Sequence, residues 1–128
     1  MVSLRRTDYI EVFNVTISKP SVNKGYLHFK APRDITLTGC ILQVFDKNAV
    51  VSGSLTIDVK TATTADDLNM TSVFATSPTI DFSSASDYTT STGALGTATI
   101  ASGSYLRLDI TSVPSGWTGN LQILLKAS

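Results

Sequence analysis

The feature that most restricts how this chain can fold is a two-residue alternation of apolar and polar side chains, repeated segment after segment. In "VFNVTIS" Phe13, Val15 and Ile17 share one face, and Asn14, Thr16 and Ser18 share the other. "GYLHFKA" sets Leu27, Phe29 and Ala31 against Tyr26, His28 and Lys30. Side chains alternate across a strand and not along a helix, so each segment predicts a strand with one buried face. "DITLTGCILQVFD" continues the pattern less cleanly, and Gly39 predicts a bulge or break within it.

Two later segments are near copies of each other. "SGSLTIDVKT" (52–61) and "SGSYLRLDIT" (102–111) each open on a Ser-Gly-Ser turn, bury alternate residues, and carry an aspartate, Asp58 or Asp109, on the opposite face. The sequences that follow them do not match, so the echo is read as two equivalent central strands rather than as a duplicated unit. If these strands are neighbours, Asp58 and Asp109 face each other on the solvent side, solvated and paired with Lys60 and Arg107. "NLQILLK" supplies a last strand, and "SVFA" (72–75) and "TATI" (97–100) supply shorter ones. The expected fold is therefore an all-β antiparallel sandwich, jelly-roll or Greek-key-like, of about eight strands. Residues 1–9 read as an N-terminal basic arm and residues 10–128 as a single β-sandwich domain. The Ser/Thr/Gly-rich stretch 81–98 reads as a long loop between strands.

Composition narrows the chemistry. The 128 residues hold ten basic and ten acidic side chains, one histidine and one cysteine. A zero net charge argues against nucleic acid or an anionic membrane as the main partner. Residues 1–60 carry eight Lys or Arg against five acids, whereas residues 61–128 carry two against five, so the halves have opposite sign. No apolar run approaches the length of a membrane span, and "MVSLRRTDYIEVF" lacks the apolar core of a secretory signal, so cytosolic synthesis is the expectation.

Cys40 has no second cysteine to pair with and reads as a buried thiol, while His28 reads as an exposed residue on a strand face. With no Cys/His pairs and no run of spaced acids, the expectation is no catalytic residue, no metal site and no cofactor. Asp66 and Asp67 in "TADDLN" read as solvated loop carboxylates. The candidates that remain are interface residues. Arg5 and Arg6 make the N-terminal segment a basic arm suited to docking on a neighbour. Trp117, on the turn "VPSGWTGN", suits a lid over the core, a protein-interface anchor or a sugar-stacking platform. Tyr88 is a further interface candidate from the polar loop.

Taken together, "KGYLHFKAPRDITLTGCILQVFDKNAVVSGSLTIDVKT", "SVFATSPTI", "IASGSYLRLDITSV" and "GWTGNLQILLK" resemble the small β-sandwich modules of virion proteins in tailed bacteriophages. The resemblance covers roughly Lys24 to Lys126 and lies in the order of strand and turn motifs. Two departures stand out: Ser104 occupies a position where aspartate is common, and "KTATTADDLNMTSVF" is longer than the usual hairpin. The resemblance implies a virion structural protein. A compact chain with no shaft or heptad repeat fits a capsid decoration or cement protein better than a fibre. Its implied partners are the major capsid protein and further copies of itself, a trimer being favoured, and its implied place is the capsid surface after synthesis in the host cytoplasm. A tail or fibre adaptor that binds a receptor is the alternative, and a carbohydrate-binding module a further one.

Overall fold

Turn residues let each alternating segment reverse on the next, and the computed structural model, which describes residues 10–64 and 69–128, is built from strands throughout. Six are long: β1 (Ile10–Ser18), β2 (Asn23–Lys30), β3 (Ile35–Val44), β4 (Ser54–Ala62), β11 (Tyr105–Ser112) and β12 (Asn120–Ala127). Between them lie six short ones: β5 (Thr71–Ser72), β6 (Phe74–Thr76), β7 (Thr79–Asp81), β8 (Thr90–Thr92), β9 (Ala94–Leu95) and β10 (Thr99–Ile100). Among the described residues no helix is long and apolar enough to cross a membrane.

The strands form two antiparallel sheets. One runs β1-β12-β3-β10 with β8 also on β3, and the other runs β2-β11-β4-β5 with β7 also on β4. The connections β1–β2, β2–β3, β3–β4 and β11–β12 each cross from one sheet to the other, while β4 and β11 are neighbours in one sheet, joined through the short strands at the edges of both; this is the strand order of a jelly roll. If β5 with β7, and β8 with β10, each count as one divided strand, eight positions result. A small β6–β9 pair lies outside both sheets. The stretch 81–98, expected as a loop, contains β8 and β9, and its Phe82 is fully buried.

One core joins the sheets. Leu55, Ile57 and Val59 of β4 and Leu106, Leu108 and Ile110 of β11 meet Cys40, Leu42 and Val44 of β3 and Leu121, Ile123 and Leu125 of β12. Each of the aliphatic side chains among these, fully buried, contributes roughly 1.5–3 kcal/mol. Gly39 marks a bulge, not a break. Ile35 and Leu37 point inward before it and Cys40, Leu42 and Val44 after it, so the alternation changes phase between them. The pairing with β12 skips Thr38 at the same place, passing from Lys126↔Gly39 to Ala127↔Leu37.

The echoed strands are neighbours, with Asp58 directly opposite Asp109. Their surroundings differ from expectation, however: the central position of β11 buries Arg107 and Asp109, which are only 6% and 2% exposed. Arg107 grips Asp109 side-on, Nε donating to Oδ1 at 2.8 Å and an Nη to Oδ2 at 2.9 Å. The pair is a buried, bidentate ion pair rather than a solvated surface contact.

Candidate functional site

The register places four connections at one end of the sandwich: residues 19–22, 45–53, 82–89 and 113–119. Ser18 opposes Asn120, Leu121 opposes Val44, Gln43 opposes Thr90, and Ser54 opposes Asp81. Short polar side chains at turn positions hold two of these connections, since Asp and Asn mimic backbone turns. Asp81 accepts from the Ser83 amide at 2.9 Å and the Ser83 hydroxyl at 2.8 Å, and these bonds hold its carboxyl below the usual range. Asp46 accepts from the Asn48 amide at 3.0 Å.

The connections are also tied to one another. The Lys47 amide donates to Asp87 at 2.9 Å, the Lys19 amide to the Gly119 carbonyl at 3.1 Å, and the Phe82 amide to the Gly53 carbonyl at 2.9 Å. Asn48 and Thr118 bond through their side chains at 3.3 Å.

Trp117 is the keystone of this end. Its ring meets Phe82 edge-on at 5.2 Å, its Nε1 donates to the Asp46 carbonyl at 2.7 Å, and it is only 4% exposed. It is the lid over the core, and the interface-anchor and sugar-platform roles offered for it have no free ring face to use. Gly119 makes the closure possible, because a Cβ there would sit on the Asp46 carbonyl and 2.6 Å from Trp117 Nε1.

Among the mostly polar residues this end presents outward, three large apolar side chains stand out. The exposed large hydrophobic residues among those described are Val22 (63%), Val51 (70%) and Tyr88 (66%), and all three lie on these connections. So do the three non-glycine residues with left-handed backbone among those described: Lys19 (φ 47°), Asn48 (φ 58°) and Tyr88 (φ 66°). Tyr88 is the notable one, because an aromatic residue pays a steric penalty there that asparagine largely avoids. Its backbone is clamped on both sides: its amide donates to the Val44 carbonyl at 2.7 Å, and its carbonyl accepts from Gln43 Nε2 at 3.1 Å. The ring leans on half-buried Phe45 at 6.3 Å and projects into solvent. A strained backbone held by its surroundings to display one side chain is the arrangement found where a surface has a task.

The other sequence candidates fall elsewhere. Arg5, Arg6, Asp66 and Asp67 lie outside the described residues. His28 is exposed on β2, edge-on to Tyr105 at 5.7 Å. Burial pushes the Cys40 thiol up to about 12, so almost no thiolate exists near neutral pH. Asp109 Oδ1 also accepts from the Gly25 amide at 3.0 Å, pinning a β2 bulge in which three residues oppose one of β11. Asp58 accepts from the Ser72 hydroxyl. These carboxylates are committed to structural bonds, and no cluster of metal-ligating groups occurs among the described residues. Tyr26 bonds back to the 19–22 connection through the Ser21 carbonyl at 2.8 Å, whereas Tyr105 lies at the far end of β11. Tyr105 therefore stands apart from Tyr26 and Tyr88.

Comparison with protein-family models, with curated proteins and with solved structures finds no match for this chain.

Proposed function

We propose that this protein is a virion structural protein of a tailed bacteriophage, a non-catalytic decoration or cement protein that binds the outer surface of the capsid. The observation that carries the proposal is the loop end: four cross-tied connections holding Val22, Val51 and Tyr88 in solvent. A surface fixed before binding loses little conformational entropy on docking, so modest contacts become useful affinity. The jelly-roll strand order agrees with this reading, since that architecture recurs in viral capsid domains, although a fold alone does not assign a function. Mechanically, such a protein acts by mass action. It binds the assembled shell and not its dissociated subunits, so opening the shell must also break those contacts.

The same architecture also serves lectins, and an exposed Tyr88 ring favours a carbohydrate-binding module as the second reading. One variant separates the surface from the scaffold. Tyr88→Gly removes the displayed ring and relieves the left-handed strain, so the fold should be as stable as before or more so while attachment to purified capsids weakens several-fold. Unchanged capsid binding with lost glycan binding would favour the second reading, and unchanged binding to both would remove the loop end from the interface.

A further inference from the structure

The two open sides of the sandwich are built differently. On one, the sheets end in β5, β7, β8 and β10, none longer than three residues. On the other they end in β1 and β2, of nine and eight residues. A long edge strand exposes a row of unpaired N–H and C=O groups, and stable monomers blunt it with lysine, proline, a bulge or brevity. β2 is blunted, carrying Lys24, Lys30 and the bulge around Gly25. From Phe13 to Ser18 β1 has no charge, proline or glycine, and its register with β12 runs unbroken from Phe13↔Leu125 to Ser18↔Asn120. Among the described residues nothing pairs with its outer edge.

The core is also unfinished on this side. Leu121, Ile123 and Leu125 of β12 are fully buried, but Phe13, Val15 and Ile17 on the same face of β1 are only partly so. Leu27 and Phe29 of β2 are likewise partly buried.

We propose that β1 is a self-pairing edge: two copies of the chain join β1 to β1, antiparallel, about a twofold axis through Val15. The register follows from geometry, because directly opposite residues of an antiparallel pair point to the same face. An axis at Val15 sets Val15 against Val15 and Phe13 against Ile17, all on the core side, and sets Asn14 against Thr16 outside. An axis at Asn14 would put Ile17 opposite Glu11, and one at Thr16 would put Phe13 opposite Lys19. An axis between residues would turn one copy's core face to solvent.

The size also suits a second copy. About the Val15 axis residues 12–18 of the two copies overlap, a span of about 24 Å, and the sheets lie about 10 Å apart. With side chains the strip is roughly 500 Å² per copy, or about 1,000 Å² in all, at the size a specific interface must reach. The contact is isologous and closes at two copies, in place of the trimer that the phage resemblance implies. It rests on the edge strand alone and holds wherever the protein acts.

Light scattering on the eluting full-length chain should give twice the 13.6 kDa monomer mass. Val15→Cys should form a disulfide-linked dimer on mild oxidation, and the buried Cys40 leaves the new thiol as the one that reacts. The paired change Asn14→Lys with Thr16→Lys alters residues outside the core and sets lysine opposite lysine twice. It should weaken the dimer roughly tenfold or more without unfolding the chain. A monomer at every concentration, a trimer, or a dimer that Val15→Cys fails to cross-link would each overturn the proposal, the last by assigning the edge to another occupant such as residues 1–9.

Discussion

Asp109→Ala tests the least surface-like feature of this sheet. The carboxylate takes two bonds from Arg107 and one from the Gly25 amide, at 2.8, 2.9 and 3.0 Å, and both charged side chains are buried. Removing one partner of a buried pair costs about 3–5 kcal/mol, because the remaining charge loses compensation it cannot recover from water. A solvated strand-face pair would cost about 0–1 kcal/mol. At roughly 0.05–0.15 kcal/mol per residue, 128 residues give a total stability on the order of 6–19 kcal/mol, so the loss is a large share of it. With an unfolding entropy of about 2.1 cal/mol/K per residue, Tm should fall by roughly 10–20 °C. Urea unfolding is the assay, with the midpoint lowered and the slope unchanged. Replacing both partners, Arg107→Met with Asp109→Leu, should recover most of the loss. A cost below about 1 kcal/mol for Asp109→Ala would refute the reasoning and restore the solvated reading.

Three further outcomes are expected. Gly119→Ala should destabilise the chain by at least about 2 kcal/mol, measured by urea midpoint, since its methyl must displace the Asp46 carbonyl or the Trp117 ring. The thiol of Cys40 is raised on folding from 9.0 to about 12, so the unfolded chain ionises first. The stability it contributes is complete below pH 9 and lost as pH rises from there toward 12, at up to about 1.4 kcal/mol per pH unit. Urea midpoints of wild type should therefore fall more steeply than those of Cys40→Ala across that range. If the basic arm docks on the capsid, Arg5→Ala with Arg6→Ala should weaken attachment in low salt and flatten its salt dependence, read from capsid co-sedimentation.

The alternating pattern made the six long strands and their core faces legible, because a period of two admits one assignment of inside and outside once one face is apolar. An irregularity at Gly39 was legible from the glycine, but whether it was a bulge or a break was decided only by the pairing of β3 with β12. β8 and β9 were not legible, since strands of three and two residues, Thr-Ser-Thr and Ala-Leu, are too short to carry a periodicity and pair with the edges that β3 and β6 offer them. Burial of Arg107 and Asp109 was hidden because alternation assigns a face but not what neighbouring strands leave of it. Trp117 was located correctly on its turn, yet only the Asp46 carbonyl and the Phe82 ring decide that it points inward. The loop end had a local signal in the turn-forming Asp46, Asn48, Asp81 and Asp87. Their convergence at one end depends on strand order, which no short segment encodes.

The virion proposal rests on a surface waiting for a partner, so the most direct measurement counts partners. Quantitative mass spectrometry of purified particles, comparing this chain with the major capsid protein, should find the two in comparable abundance, as a lattice over the head requires. A few copies per particle would contradict decoration and move the protein to the tail, and its absence from particles would contradict a virion role altogether.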